Sequence, residues 1–158
     1  MSRIFSAVMA LAVATALPVS IAAQDKPNFS GTWVLQTDKS DYGMMPPPMS
    51  RTDIIDHQEP KITIKRTAAT GEGENKLDLV YAVDGKPWKN QAGEQEVTST
   101  LHWEGQELVV VSEVDTPQGL ATLTDRWSLS ADGKTLTQNR TISIQGQELK
   151  QTMVLAKQ

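Results

Sequence analysis

Apolar and polar residues alternate with a period of two along most of the chain after residue 30, and this alternation limits the possible folds more than any other feature. Val97, Leu101 and Trp103 would share one face of an extended strand, while Glu96 and His102 would share the other. No segment of this region shows the period of about 3.6 residues that amphipathic helices require. The pattern therefore predicts an all-β chain of antiparallel strands.

Short turn sequences interrupt the alternation about every 10 to 14 residues, which is the spacing of an antiparallel meander. The strongest turn sequences are Asp84-Gly85, Glu104-Gly105, Asp132-Gly133 and Gln145-Gly146. Asp84-Gly85 in particular predicts a tight β-hairpin. The predicted strands cover residues 31–37, 52–57, 61–67, 77–83, 97–103, 107–115, 120–129, 135–144 and 148–156, with a short piece near Trp88.

An open meander of this length would expose two strand edges that could pair with other chains. Closing the sheet removes both edges, and a barrel of about eight to ten strands has room for one small ligand. We therefore predict an up-and-down antiparallel barrel of about eight to ten strands, with a two-sheet β-sandwich as the alternative.

Residues 1–23 have the organisation of a secretory signal peptide. Arg3 provides a basic start, residues 4–17 are almost continuously apolar, and small residues predict cleavage after Ala22 or Ala23. An N-terminal membrane anchor is the alternative, but the apolar run is short for a bilayer span. The absence of cysteine excludes a lipoprotein anchor and disulfide bonds. We therefore expect a single domain over residues 24–158 that is periplasmic or secreted.

The charge and the length of the chain narrow its possible partners. A chain of 158 residues is typical of one domain. Without Arg3, the expected mature chain has 14 basic and 19 acidic residues, which is a net charge of −5. Such a chain is not expected to bind nucleic acid or anionic membranes. We expect a monomer with no cofactor and with no membrane span after cleavage.

The opening of the first predicted strand resembles two families of ligand-binding β-barrels. Residues 28–35 have the sequence NFSGTWVL, and the pattern F-x-G-T-W-x-L is similar to that of the lipocalins and the intracellular fatty-acid-binding proteins. The order of residues 103–105 and the later turns also resembles the late strands of the fatty-acid-binding proteins. The resemblance implies a lipocalin-like barrel in which Gly31 bends the chain and Trp33 fills the closed end. It also implies a binding protein whose function depends on the barrel interior.

Two parts of the chain depart from the fatty-acid-binding pattern. That family has a helix-turn-helix lid after the first strand, whereas residues 38–51 are short and contain three consecutive prolines. Met44, Met45 and Met49 flank these prolines, and the segment predicts a short, rigid flap with an adaptable apolar surface over the barrel mouth. The last strand lacks the Arg-x-Tyr with which the family often holds a carboxylate, so the sequence does not predict that mode of binding.

Arg140 is the strongest candidate for ligand binding. It shares a strand face with Gln138 and several apolar residues, so both side chains would point into the barrel if the apolar face does. A buried guanidinium needs a partner. The position of Arg140 before the Gln145-Gly146 turn implies, by the family resemblance, an anion anchor for a lipid-like ligand. The alternative is a structural residue that packs on Trp33 or pairs with an acid such as Glu113.

Other residues are weaker candidates for the interior or the portal. Arg126 lies on a strand with apolar residues on both faces, so the sequence leaves its orientation open. Trp88 follows Lys86-Pro87 and is predicted at the barrel rim, and simple packing is the alternative for each tryptophan. The candidate ligand-binding residues are Trp33, Met44, Met45, Met49, Trp88, Arg126, Gln138 and Arg140.

No arrangement of residues in the sequence is typical of catalysis. The chain lacks a serine nucleophile elbow, a P-loop and a glycine-rich dinucleotide turn. Asp53, Asp56 and His57 could in principle bind a metal, but polar residues on a short strand are more typical of a solvent-facing surface. We therefore expect neither a catalytic site nor a metal site.

These observations predict an exported, non-enzymatic binding protein for a small apolar or amphipathic, lipid-like molecule. Two alternatives remain open. In one, the protein is a cell-envelope barrel without a ligand, and residues 46–48 form a proline-rich strip for a partner's aromatic groove. In the other, the three methionines of the flap bind Cu(I) in the periplasm, because thioethers prefer that ion.

Overall fold

The computed structural model describes residues 25–158, and the expected signal peptide lies outside this range. The described chain contains ten strands and one 3-10 turn at Thr37–Lys39. The strands are β1 (Gly31–Leu35), β2 (Ser50–Gln58), β3 (Lys61–Thr70), β4 (Gly73–Ala82), β5 (Trp88–Ala92), β6 (Gln95–Glu104), β7 (Glu107–Thr116), β8 (Gly119–Leu129), β9 (Thr135–Ile144) and β10 (Gln147–Lys157).

All ten strands belong to one antiparallel sheet. Its order is β4-β3-β2-β1-β10-β9-β8-β7-β6-β5, so each strand pairs with its neighbour in sequence except at two places. One exception is the pairing of β1 with β10, which joins the two ends of the chain. The other is the boundary between β4 and β5, where the sheet begins and ends. The sheet curls into a nearly closed barrel, which confirms the predicted meander and excludes the sandwich alternative.

The turn between β9 and β10 shows how the turn residues determine the strand register. Gln145 and Gly146 both have positive φ, of 49° and 79°. Two successive residues in this region form the turn whose twist matches that of antiparallel strands. The turn therefore pairs Gln147 with Ile144 and continues the register along both strands.

The predicted hairpin at Asp84-Gly85 is wrong, because β4 and β5 share no backbone ladder. The backbone groups of this turn bond elsewhere: Val83 N–H donates to the carbonyl of Pro60 at 2.7 Å, and Gly85 N–H donates to Leu101 at 3.0 Å. These bonds hold the chain against the β2–β3 turn and against β6. Gly85 adopts a positive φ of 70°, so the prediction of a turn at this glycine is right, although the turn does not form a hairpin.

A side chain takes the place of the missing ladder between β4 and β5. The N–H of Val80 donates to Asn90 Oδ1 at 2.7 Å, and Asn90 Nδ2 donates to the carbonyl of Val80 at 3.0 Å. The amide of Asn90 thus satisfies both backbone groups of one residue across the gap, as a paired strand would. We call this boundary the seam.

The interior of the barrel follows the period of the strands. Alternate residues point inward, and the fully buried ones include Trp33, Ile62, Leu101, Leu108 and Leu136. Burial of such side chains contributes about 1.5–3 kcal/mol each. Over residues 25–158, no helix is long and apolar enough to cross a membrane.

Candidate functional site

One end of the barrel is filled by aromatic rings. The ring centroid of Phe29 lies 5.8 Å from that of His57, 6.0 Å from that of Trp103 and 5.8 Å from that of Trp127. Trp33 is fully buried beside them, and its indole donates to the carbonyl of Phe29 at 2.8 Å. Aromatic pairs at these separations pack favourably, and Trp127 also borders the cavity described below. We call this region the closed end.

Two of the three polar residues that the sequence predicts on a solvent-facing surface of β2 are buried, and only the third, Asp56, is exposed. Asp53 and His57 are 0% and 3% exposed, whereas Ile54 is 52% exposed. The prediction is wrong because Ile54 and Ile55 are adjacent, so either face of the strand could have been the apolar one. His57 accepts the N–H of Phe29 at Nδ1. Among residues 25–158, no group of three His, Cys, Asp or Glu side chains could hold a metal.

A cavity of about 220 Å³ occupies the other half of the barrel. Its wall is mainly apolar and includes Ile64, Leu79, Val110 and Leu123. Polar side chains are also set into this wall, and they include Arg66, Asp125, Gln138 and Arg140. We call this region the cavity end.

Two arginines share one buried carboxylate beside the cavity. Arg66 donates to Asp53 at 2.8 Å through Nε and at 2.9 Å through Nη2. Arg51 donates to the same carboxylate through Nε at 3.0 Å, and its Nη2 also donates to Gln138 Oε1 at 2.8 Å. Both arginines are buried or nearly so, with side chains 5% and 16% exposed. One carboxylate therefore balances only one of two buried guanidinium charges.

The pKa values of this cluster follow from burial and from the charges around it. Burial raises the pKa of Asp53, but the charges of Arg66 and Arg51 lower it by more, so its pKa lies below the ordinary value. Burial and the neighbouring charge of Arg66 lower the pKa of Arg51. Asp53 is thus ionised at neutral pH, and the two arginines repel each other across it.

Arg140 pairs with Asp125, and not with Glu113 or Trp33. Its Nε and Nη2 donate to Asp125 Oδ1 and Oδ2 at 2.7 and 2.8 Å, the two-pronged geometry that suits a guanidinium and a carboxylate. Burial lowers the pKa of Arg140, yet the charge and hydrogen bonds of Asp125 raise it by more. The side chain of Arg140 is 23% exposed.

The charges at the cavity end do not balance. Among residues 25–158, three inward arginines face two inward aspartates, which leaves one formal positive charge in the barrel interior. The residues of this set are Arg51, Asp53, Arg66, Asp125 and Arg140. An uncompensated buried charge is costly, so this region favours an anion or the negative end of a dipole.

The structure brings only two of the sequence candidates to the cavity. Gln138 and Arg140 line it. Arg126 lies on the outer surface, where it pairs with Glu104 at 2.7 Å and with Glu107. Trp33 lies at the closed end, and the half-buried Trp88 begins β5, where its indole donates to Asp84.

The methionine-rich segment lies beside β10. Asp41 forms a β-bridge with Thr152 of β10. The segment therefore lies along β10 beyond the end of the short β1. Met44 and Met49 are 88% and 76% exposed. The Sδ atom of Met45 lies 3.2 Å from Gln151 Nε2.

Tyr42 is the aromatic residue of this segment that packs against the buried core. Burial raises the pKa of its hydroxyl, while the nearby charges of Arg51 and Arg140 lower it by less. The hydroxyl of Tyr42 is therefore close enough to the interior arginines for their charges to affect its pKa.

Most of the charged residues of the site are not predicted by the alternation of their own strands. Asp53 lies directly opposite Arg66 on the neighbouring strand, and Asp125 lies directly opposite Arg140. Opposite charges at facing positions stabilise antiparallel pairs. The strand register would therefore have identified both pairs, whereas the alternation of each strand alone could not.

Comparison with solved structures identifies the fold. The chain is similar to zebrafish ileal bile acid-binding protein complexed with cholic acid, with a TM-score of 0.59, 14% identity and coverage of 82% of this chain and 98% of that one. It is similar to secretory abundant heat soluble protein 4 from Ramazzottius varieornatus, with a TM-score of 0.60, 12% identity and coverage of 86% and 99%. For Echinococcus granulosus fatty-acid-binding protein 1 the values are 0.55, 16%, 82% and 96%.

These likenesses, together with the nearly closed ten-stranded meander, show the lipocalin-like, calycin-type barrel that the opening motif predicts. At these identities they establish the fold alone. No protein-family model matches the chain, and comparison with curated proteins gives no match.

Proposed function

We propose that this protein is an exported, non-enzymatic binding protein that holds one small amphipathic, lipid-like molecule inside the barrel. The observation that carries the proposal is the pairing of an apolar cavity with one unbalanced positive charge in its surroundings. An apolar body would bury surface against the cavity wall. An anionic or strongly polar head group would offset the excess charge.

The size of the cavity limits the ligand. An apolar cavity of about 150 Å³ holds a benzene molecule, and pockets for drug-sized ligands begin at about 300 Å³. The cavity of about 220 Å³ lies between these values. The proposal therefore favours a ligand with a single ring or a short alkyl chain.

The chemistry of the cavity supports binding over catalysis. In the described part of the chain, its ionisable lining residues are Arg66, Tyr81, Asp125 and Arg140. Arginine does not give up its proton in proteins, and Asp125 is held by two hydrogen bonds from Arg140. Burial raises the pKa of Tyr81. These groups are poor candidates for proton transfer near neutral pH.

Two of the structurally similar proteins support the ligand class. One is described with cholic acid bound, and another is named for fatty acids. Export is supported separately by the signal-peptide pattern of residues 1–23. N-terminal sequencing of the protein from its source would test export, and an intact residue 1–23 segment would contradict it.

Native mass spectrometry of the protein purified from its source tests the proposal most directly. We expect a co-purifying small-molecule mass that is lost on denaturation. Bound copper or a co-purifying protein would instead support one of the two alternatives from the sequence.

A pair of matched variants locates the binding. Val110 lines the cavity, whereas its neighbour Val111 points to the opposite face of β7. We expect Val110→Phe to abolish calorimetric binding of octanoate and Val111→Phe to preserve it. Equal binding by both variants would place the ligand outside the cavity and contradict the proposal.

A further inference from the structure

We propose that the head group of the ligand is a hydrogen-bond acceptor that binds the side-chain amide of Gln138 and the indole N–H of Trp127. This inference rests on the proposed function and names the part of the cavity wall that recognises the ligand. Gln138 and Trp127 are 1% and 5% exposed, and both belong to the wall. They lie directly opposite each other on β9 and β8.

Both side chains carry a buried donor that has no partner. Within the described residues 25–158, Trp127 Nε1 and Gln138 Nε2 have no hydrogen-bond partner. Buried donors are nearly always paired in folded proteins, because an unpaired one loses its bond to water and gains nothing in return. Two such donors on facing residues of one cavity wall therefore indicate a group that is supplied by a ligand.

The orientation of the Gln138 amide is fixed by its neighbour. Arg51 Nη2 lies 2.8 Å from Gln138 Oε1. A guanidinium has donors only, so the atom that faces it must be the amide oxygen. The NH₂ group of Gln138 is then the atom left for another partner.

These donors specify the class of head group. The indole of Trp127 offers one N–H donor and the NH₂ group of Gln138 offers two, and these unpaired groups can only donate to a ligand. A carboxylate or a carbonyl oxygen satisfies them, and the excess positive charge of the interior favours the carboxylate. An ammonium group has only donors and a positive charge, so it is disfavoured twice.

Arg140 is a less suitable anchor than this pair. Its Nε and Nη2 are both engaged with Asp125 at 2.7 and 2.8 Å. An anion that bound Arg140 would be limited to the remaining N–H groups of the guanidinium and would share its charge with Asp125. The Gln138 and Trp127 donors have no competitor.

Three probes with similar chains and different head groups test the inference by calorimetry. Octanoate is an anionic acceptor, hexyl methyl ketone is a neutral acceptor, and octylammonium is a cationic donor. We expect octanoate to bind most tightly, the ketone more weakly, and octylammonium at least about a hundredfold more weakly than octanoate. The indole N–H resonance of Trp127 should move downfield with both acceptors.

Two variants remove the donors, and a third serves as the control. Trp127→Phe keeps an aromatic ring without the N–H, and Gln138→Glu keeps an acceptor for Arg51 without the NH₂ group. Each is expected to weaken ketone binding about tenfold, the scale of one hydrogen bond. The matched control is Trp103→Phe, because the indole of Trp103 donates to Glu59 outside the cavity. Thermal unfolding of each variant establishes that it is folded.

The outcomes separate this inference from the proposed function. Binding of octanoate and ketone that is equal in the wild type, Trp127→Phe and Gln138→Glu would overturn the inference while leaving the binding function intact. Preferential binding of octylammonium would overturn it as well. If the wild-type chain binds none of the three probes, the proposed function fails and the inference fails with it.

Discussion

The closed end and the cavity end are built by the same ten strands, yet they contain different chemistry. At the closed end, inward positions carry aromatic rings that pack against one another around Phe29. At the cavity end, inward positions carry three arginines and two aspartates around a space of about 220 Å³. The backbone is equivalent in both halves. The difference indicates that packed rings stabilise the closed end, whereas the cavity end holds charged groups around an open space, as the proposed binding function requires.

Truncation at the closed end should have the largest effect on stability. Trp33→Ala removes a fully buried ring and its hydrogen bond to Phe29. We expect the free energy of unfolding to fall by about 4–5 kcal/mol, in the upper part of the range for aromatic-to-alanine changes. Urea denaturation measures this loss, and octanoate affinity of the folded variant should stay within about twofold. A tenfold loss of affinity would contradict the division between the two ends.

Removal of the shared carboxylate should have the next largest effect. Asp53→Asn leaves Arg51 and Arg66 without a counter-charge in a buried site. We expect a loss of about 3 kcal/mol, in the lower part of the range for a broken buried pair, because the amide keeps one acceptor oxygen. Urea denaturation at neutral pH measures it. A variant as stable as the wild type would show that the charge of Asp53 is not needed to offset the repulsion between Arg51 and Arg66.

The pH dependence of stability should identify the same carboxylate. The pKa of Asp53 in the folded chain lies below its ordinary value of 3.8. Below that value the unfolded chain binds a proton that the folded chain does not, so stability falls as the pH falls. We expect denaturation curves to show a decline below about pH 3.8 that is shallower in Asp53→Asn. Parallel curves for the two proteins would contradict this assignment.

Asp125→Asn should strengthen octanoate binding and lower the stability of the fold. The variant removes the charge that holds Arg140 and raises the formal interior charge by one. We expect octanoate affinity to rise roughly tenfold, which corresponds to about 1.4 kcal/mol. Stability should fall by less than in Asp53→Asn, because the side chain of Arg140 is partly exposed. Calorimetry measures the affinity, and an unchanged value would show that interior charge does not govern binding.

The smallest effect is expected for the arginine on the outer surface. Within residues 25–158, Arg126 pairs only with exposed glutamates, so Arg126→Gln should change neither octanoate affinity nor stability beyond experimental error. Arg140→Gln is the inward counterpart and should weaken octanoate binding several-fold by removing interior charge. Calorimetry on both variants makes the comparison. Equal effects would mean that the direction of the side chain is irrelevant.

The fold could be predicted because its causes are local. Alternation determines which face of each strand is buried, and turns such as Gln145-Gly146 determine the connections. The prediction of a hairpin at Asp84-Gly85 was wrong because hydrogen bonds to Pro60 and Leu101 direct the chain away from β4. Those bonds join residues that are distant in sequence, so the local sequence does not predict them.

The site was harder to predict because its residues contradict the rule that charges face solvent. Arg140 and Gln138 could be identified from the apolar residues on their face of β9. Asp53 and Arg66 could not, since their burial depends on the register that places them opposite each other. The unpaired donor of Trp127 depends on three-dimensional packing alone.

The seam has a consequence for how the barrel opens. Other neighbouring strands are joined by backbone ladders, whereas β4 and β5 are joined through two hydrogen bonds of a single side chain, Asn90. Local fluctuations follow the route that breaks the fewest bonds. Amide protons next to the seam should therefore exchange with solvent faster than those of the β9–β10 ladder. The barrel can expose its interior along one line while the remaining nine strand pairs stay intact.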